Sequence, residues 1–237
     1  MSDLTLPDGV IAHLGSSAEP VAQSLADEVA NVLSERLSSA PRASLAVSGG
    51  STPVPFFRAL SDKNLDWCRV DIVLVDERWV DENDPASNTR LVKDNLLQGP
   101  CAQARFFSLK QPGESPAAAL SEVEKVLDGL WFPLDVLILG MGTDGHTASL
   151  FPDAPELPEA LALGGSARVA AMTPISQPQQ RITLTFPVLA AAGYTALHLR
   201  GDDKLETLAR ALAHPNQIEA MPVRGFLKPG LRLFWSP

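Results

Sequence analysis

Along residues 18–38 the apolar side chains Val21, Leu25, Val29, Val32, Leu33 and Leu37 recur at intervals of three and four, which lays one apolar stripe along a helix and leaves its other faces polar. The pattern then changes to short, largely apolar runs at 43–47, 72–75 and 136–139. Such runs are too short for helices and suit strands buried on both faces of a parallel sheet. Helical patterns lie between them near 54–61, 86–98 and 115–129, so strand and helix alternate through the first 150 residues and predict a doubly wound α/β sheet. Further strands are expected at 168–172, 181–185 and 195–199, a helix through Leu205, Leu208, Ala209 and Leu212, and a last short strand over 231–235. Pro152, Pro155 and Pro158 interrupt the segment 151–166, which reads as a loop or broken helix, either a lid or a plain connection. No repeat or linker divides the chain, so residues 1–237 are expected to form one α/β domain.

Composition narrows the function classes. With 45% hydrophobic and 20% charged residues the chain lies in the ordinary globular range. A net charge of −9 speaks against general binding to nucleic acid or an anionic membrane, both of which need a basic surface. A phosphorylated ligand must therefore meet local cations. The opening Met1-Ser2-Asp3-Leu4 lacks a basic-plus-apolar leader, and no apolar run approaches the roughly 20 residues of a membrane span, so a cytoplasmic protein is expected. Cys68 and Cys101 have no C-x-x-C spacing and the four histidines form no H-x-x-H or H-E-x-x-H pair; free thiols and no metal are the expectation.

In open parallel sheets ligands bind beyond the carboxyl ends of strands, which directs attention to four places. Ser48-Gly49-Gly50-Ser51-Thr52-Pro53 follows the first apolar run, with Thr52 placed to cap a helix whose first residue is Pro53. Glycines let the backbone approach an anion, and the free N–H groups at a helix start can hold a phosphate; the alternative is a bare strand-to-helix turn. Asp76-Glu77-Arg78-Trp79 follows the second run and sets two carboxylates and a guanidinium at the sheet edge, either as site residues or as a solvated turn with an internal ion pair. The third place, Gly140-Met141-Gly142-Thr143-Asp144-Gly145-His146, satisfies G-x-G-x-x-G literally. It lies in mid-chain, however, and Pro152 is expected to cut the following helix to about two turns, so an anion or sugar nest fits it better than a dinucleotide. His146, in that loop, is the candidate acid–base group, against the plainer role of a hydrogen-bonded structural histidine. His13 and His214 read as surface-loop residues and His198 falls within a strand pattern. The fourth place is Gly201-Asp202-Asp203-Lys204, where Lys204 either meets a phosphate or is a solvated first-turn lysine. Arg181 begins its apolar run, and reaches the same rim only if that strand is antiparallel or a loop carries it across.

Taken together, 48–53, 76–80, Ser87-Asn88, 140–152, 181–185 and 201–204 resemble the 6-phosphogluconolactonase family, in order and through nearly the whole chain. The most specific stretch is G-M-G-T-D-G-H-T-A-S-L-F-P at 140–152, supported by D-E-R-W-V at 76–80. The resemblance implies hydrolysis of 6-phospho-D-glucono-1,5-lactone in the oxidative pentose phosphate pathway, without metal or nucleotide cofactor. It also implies a modified Rossmann-like fold, a mostly parallel sheet flanked by helices, with a smaller strand region expected in the C-terminal third; the oligomeric state, monomer or small homo-oligomer, is left open by the sequence. By position it makes Asp144 and His146 the catalytic pair, Arg78 a substrate or oxyanion contact, and Gly49, Gly50, Ser51, Thr52, Arg181 and Lys204 the surroundings of the phosphate; Arg78 and Asp76 are counted with the pair as catalytic candidates, the roles of Asp76, Asp144 and His146 being left to geometry. Met221-Pro222-Val223-Arg224-Gly225 and the ending Phe234-Trp235-Ser236-Pro237 depart from the family pattern, which bears on what closes the far side of the substrate.

Two rivals remain. A sugar-phosphate deaminase or isomerase on the same fold would use Asp76 to abstract a carbon-bound proton, but such deaminases resemble G-H-I-A-F-N-E-P after the glycines, and Ala148-Ser149-Leu150-Phe151-Pro152 lacks the asparagine–glutamate pair. A non-catalytic sugar-phosphate sensor would need no turnover, and would ordinarily carry a DNA-binding or partner domain.

Overall fold

The computed structural model describes residues 5–237. In chain order the elements are β1 (Ile11–Leu14), α1 (Ala18–Ser39), β2 (Ala43–Val47), α2 (Val54–Ser61), β3 (Val70–Leu74), β4 (Asp76–Arg78), α3 (Asn88–Asn95), β5 (Arg105–Phe107), α4 (Pro116–Leu127), β6 (Val136–Leu139), α5 (Leu157–Leu161), β7 (Val169–Met172), β8 (Arg181–Leu184), α6 (Phe186–Ala190), β9 (Tyr194–Arg200), α7 (Asp202–Ala213) and β10 (Arg232–Ser236). Short 3₁₀ turns occupy Trp67–Arg69, Gly99–Gln103 and Pro222–Phe226.

Seven strands form one sheet in the order β1-β10-β9-β6-β2-β3-β5, and every pairing in it is parallel. Every residue of β2, β3 and β6 is buried, as their largely apolar patterning requires when helices cover both faces, with Ser44 and Asp71 the polar exceptions. The stripe on α1 packs as expected: Leu25, Val29 and Leu33 are wholly buried, each stabilising the fold by about 1.5–3 kcal/mol relative to exposure. At the amino end of the sheet the buried Asp71 carboxylate is clamped by Arg42, 2.6 Å from Nη2, and by Arg105, 2.9 Å from Nε, which ties β2, β3 and β5 together.

The additional strands form a three-stranded antiparallel sheet in the order β4-β8-β7. Two of them come from the C-terminal third, as expected, but the outer strand β4 is the Asp76-Glu77-Arg78 segment. Of the two alternatives for that segment, this excludes the solvated turn with an internal ion pair. Glu77 is buried, and its carboxylate accepts hydrogen bonds from the backbone N–H groups of Asn88 (2.8 Å) and Thr89 (2.7 Å), where the positive end of α3 stabilises it. A carboxylate that looked available is thus consumed in anchoring a helix.

Other local differences have simple causes. Helix α2 begins at Val54 with Pro53 as its cap residue, so Thr52 does not cap it. No helix follows the 140–149 loop directly; residues 147–150 form a tight turn, and α5 starts only at Leu157. His13 lies in β1, not in a loop, its ring stacked on Phe234 at 4.4 Å. His214 caps the end of α7 and is exposed.

Candidate active site

The ends of β2 and β6 are stitched together by one side chain. Ser48 Oγ donates to the carbonyl of Ile138 (3.1 Å) and accepts from Gly140 N–H (3.2 Å), so the two glycine loops leave the sheet side by side. Between them and β4 and β8 opens a cleft of about 370 Å³. Gly49, Gly50, Ser51, Thr52, Asp76, Arg78, His146, Arg181 and Lys204 all line it. Of the residues that the resemblance assigns to the site, Asp144 alone is not part of the wall, and it touches His146 from behind.

The second loop is built around that contact. Asp144 Oδ1 lies 2.6 Å from His146 Nδ1 and also accepts the His146 backbone N–H at 3.0 Å. Burial works to raise the Asp144 carboxyl, but the hydrogen bonds and charge of His146 outweigh it and hold the group below the ordinary aspartate value of 3.8. An ionised Asp144 requires the proton of neutral His146 to sit on Nδ1, which leaves Nε2 as the basic lone pair. The ring stacks on Phe151 at 4.0 Å between centroids. Gly142 is there because the ring is: a Cβ at that position would run into the imidazole. Gly145 takes φ +83, and a side chain there would strike Met221. The atypical 221–225 segment therefore packs under this loop, joined to it by the hydrogen bond from Val223 N–H to the carbonyl of Gly145 (3.0 Å).

The antiparallel sheet delivers the positive charge. Because β8 runs antiparallel to β4, Arg181 falls directly opposite Arg78, which meets the condition under which it reaches the rim. Arg78 Nη1 donates to the carbonyl of Ala86 (2.6 Å), whereas Nε of Arg78 and Nε of Arg181 are buried without a partner. Desolvation first, and then the Arg78 charge, lower the pKa of Arg181. Two adjacent guanidinium groups with unused donors mark a place for an anion or a developing oxyanion. Arg181 keeps company with Arg78, Gln177 and Phe151, at the His146 end of the cleft. Asp76 lies between, with Oδ2 accepting from Ser149 Oγ at 2.6 Å and its backbone carbonyl accepting from Asn88 Nδ2 at 3.0 Å.

Sequence reasoning passed over other members of the wall: Gln177, His198 and Arg200 line the cleft as well. Arg200 precedes Gly201 at the end of β9, so the strand-end rule that singled out Lys204 already contained it. His198 is hidden by the strand pattern around it, which gives a lone histidine no mark of function. With Arg78, Arg181, Arg200 and Lys204 in the wall and Asp76 the one carboxylate, the cleft concentrates cations that the overall charge of −9 conceals. Among the described residues no group of three or more His, Cys, Asp or Glu side chains is placed to hold a metal ion, and no helix is long and apolar enough to cross a membrane.

The family model described as glucosamine-6-phosphate isomerases/6-phosphogluconolactonase matches residues 16–235. The chain belongs to this family. Within it the chain sits with the lactonases. It is 46% identical over 237 residues to the 6-phosphogluconolactonase of Pseudomonas aeruginosa, covering 100% of this chain and 99% of that one. The crystal structure of a 6-phosphogluconolactonase from Shewanella baltica superposes with a TM-score of 0.94 at 37% identity, covering 98% of this chain and 100% of that one. A monomeric glucosamine-6-phosphate deaminase shares the fold alone, with a TM-score of 0.76 at 19% identity over 95% of this chain and 97% of that one. The lactonases of the family are thus the setting in which the cleft is to be understood.

Proposed function

We propose that the protein hydrolyses 6-phospho-D-glucono-1,5-lactone to 6-phospho-D-gluconate, the lactone-opening step of the oxidative pentose phosphate pathway, and that His146 is the general base. The observation that carries the reading is the Asp144–His146 contact at 2.6 Å on the wall of a cationic cleft. Asp144 fixes the tautomer, and Nε2 of His146 takes a proton from water as the water oxygen bonds to the lactone carbonyl carbon. The carbonyl electrons move to oxygen, and the resulting oxyanion is met by the guanidinium groups of Arg78 and Arg181 in the cleft wall. Collapse breaks the bond to the ring oxygen, which takes a proton from the imidazolium, and the product ionises to a carboxylate. General-base help of roughly 10²–10⁴-fold, added to positioning, is enough for an activated ester.

The phosphate is assigned to the other end, against Lys204 and the glycine loop 48–53, which lines the same cleft; Pro53 and Pro55 bring no N–H to the start of α2, so the loop itself supplies the backbone donors. Asp76, whose Oδ2 is occupied by Ser149, is assigned to substrate hydroxyls and to holding the 147–150 turn rather than to proton abstraction.

The test is a direct lactone-hydrolysis assay, corrected for the uncatalysed reaction, on wild type and His146→Ala. Full activity in the variant removes His146 from the chemistry. Ammonia release from glucosamine 6-phosphate without lactone hydrolysis favours the deaminase, and ligand-induced thermal stabilisation without turnover favours a sensor.

A further inference from the structure

His198 is a polar residue in a position that strand patterning would fill with an aliphatic one. It is 5% exposed, in the middle of the most buried part of β9, between Leu197 and Leu199. Pairing with β6 ends at Leu139 opposite Leu197, so His198 stands one residue beyond the last β6 pair, level with Gly140. Its ring meets the ring of Phe56 edge-on at 6.2 Å, and Phe56 is the third residue of α2, the helix that follows Ser51 and Thr52. The ring therefore lies beneath the first turn of α2, and it forms part of the cleft wall together with Ser51, Thr52, Arg200 and Lys204.

The chemistry of the ring is unusual for a packing residue. Nδ1 is buried without a hydrogen-bond partner, a desolvation cost that no protein group offsets. Burial pushes the imidazole down to about 4, so it is neutral at physiological pH. A neutral imidazole offers one N–H donor and one acceptor without placing a fixed charge in the sheet. The charged groups on its side of the cleft, Arg200 two residues along the strand and Lys204 in the first turn of α7, are both cations. The glycine loop 48–53, two cations and a buried imidazole with an unpartnered nitrogen converge on the kind of ligand that accepts hydrogen bonds and carries negative charge.

We propose that His198 is a substrate-binding residue: its ring hydrogen-bonds the phosphoryl group from beneath the first turn of α2 and contributes to selecting phosphorylated over unphosphorylated lactones. This rests on the lactonase reading for the identity of the substrate, though not for the presence of a phosphate site. His198 is distinct from the His146 end of the cleft, where the bond is cleaved, so it acts on binding and not on the chemical step.

The experiment has two arms. In wild type, imidazole ¹H–¹⁵N spectra are followed during titration with inorganic phosphate and with 6-phosphogluconate, with gluconate as the control. The His198 signals are expected to shift saturably with the first two and to stay in place with gluconate. In the second arm His198→Phe keeps the packing on Phe56 and removes both nitrogens, and His198→Gln restores a donor. His198→Phe is expected to raise the Kd for inorganic phosphate and the KM for the lactone about tenfold, with kcat within about threefold of wild type and partial recovery in His198→Gln. A folded His198→Phe variant with phosphate affinity and KM within twofold of wild type overturns the proposal. So do wild-type His198 signals that ignore saturating phosphate, and this arm decides if His198→Phe fails to fold. Phosphate-dependent shifts in a protein that turns over no lactone would uphold the site and sink the lactonase reading instead.

Discussion

Asp144 and His146 are two residues apart in sequence and share a 2.6 Å Oδ1···Nδ1 contact, closed by a second bond from the His146 backbone N–H to the same oxygen. The carboxylate therefore sets both the orientation and the tautomer of the imidazole. Asp144→Asn preserves the shape and withdraws that control, because an amide can present its N–H to Nδ1 and move the ring proton to Nε2. The variant is expected to lose roughly 100- to 10,000-fold in kcat with KM little changed, read by initial rates of lactone hydrolysis.

The same contact has a pH signature. The folded-state pKa of Asp144 lies below its ordinary value of 3.8, so its contribution to stability is complete above that value and is lost as pH falls through the folded pKa. The difference in melting temperature between wild type and Asp144→Asn should shrink as pH falls below about 4. A difference that stays unchanged from about pH 5 down to about pH 3 in thermal scans would contradict this.

Gly142 is pinned by close approach rather than by backbone angle. A Cβ there would collide with the His146 ring and lie 2.6 Å from Asp144 Oδ1, so Gly142→Ala must displace the pair. Misplacement by about an ångström costs on the order of 10²-fold in rate, and kcat should fall by that amount while far-UV circular dichroism is unchanged.

Asp71 belongs to the opposite end of the sheet. Removing its charge in Asp71→Asn leaves Arg42 and Arg105 without their shared carboxylate, and breaking a buried pair costs about 3–5 kcal/mol; because both arginines reach solvent, about 2–3 kcal/mol is expected. Chemical denaturation should show the loss, and kcat per folded molecule should be unaffected.

Both cysteines are free, Cys68 exposed and Cys101 buried. Burial pushes the Cys101 thiol up to about 12, so it holds almost no thiolate near neutrality. Intact-mass analysis after maleimide treatment at pH 7 should show one adduct on the native protein and two after unfolding.

The helices and buried strands were legible in the chain because burial imposes a period: the α1 stripe and the largely apolar runs of β2, β3 and β6 have no other economical explanation. The site loops were legible for a different reason. The carboxyl ends of parallel strands are where glycine, histidine and charge serve ligands, and those residues stand out against the apolar runs they follow. What the linear pattern could not carry is pairing. Ile11–Leu14 is an edge strand with mostly exposed side chains, so nothing in its polarity distinguishes it from a loop until β10 lies beside it. Asp76, Glu77 and Arg78 look alike as a run of charges, and they separate into a cleft carboxylate, a buried helix anchor and a guanidinium with a free donor only when β8 and α3 close on them. The Asp144–His146 pair lies within one loop and could be read from three adjacent residues. The convergence of Arg78, Arg181, His198, Arg200 and Lys204 on one cleft joins segments more than 100 residues apart, a proximity that depends on strand order and direction, which local sequence does not encode.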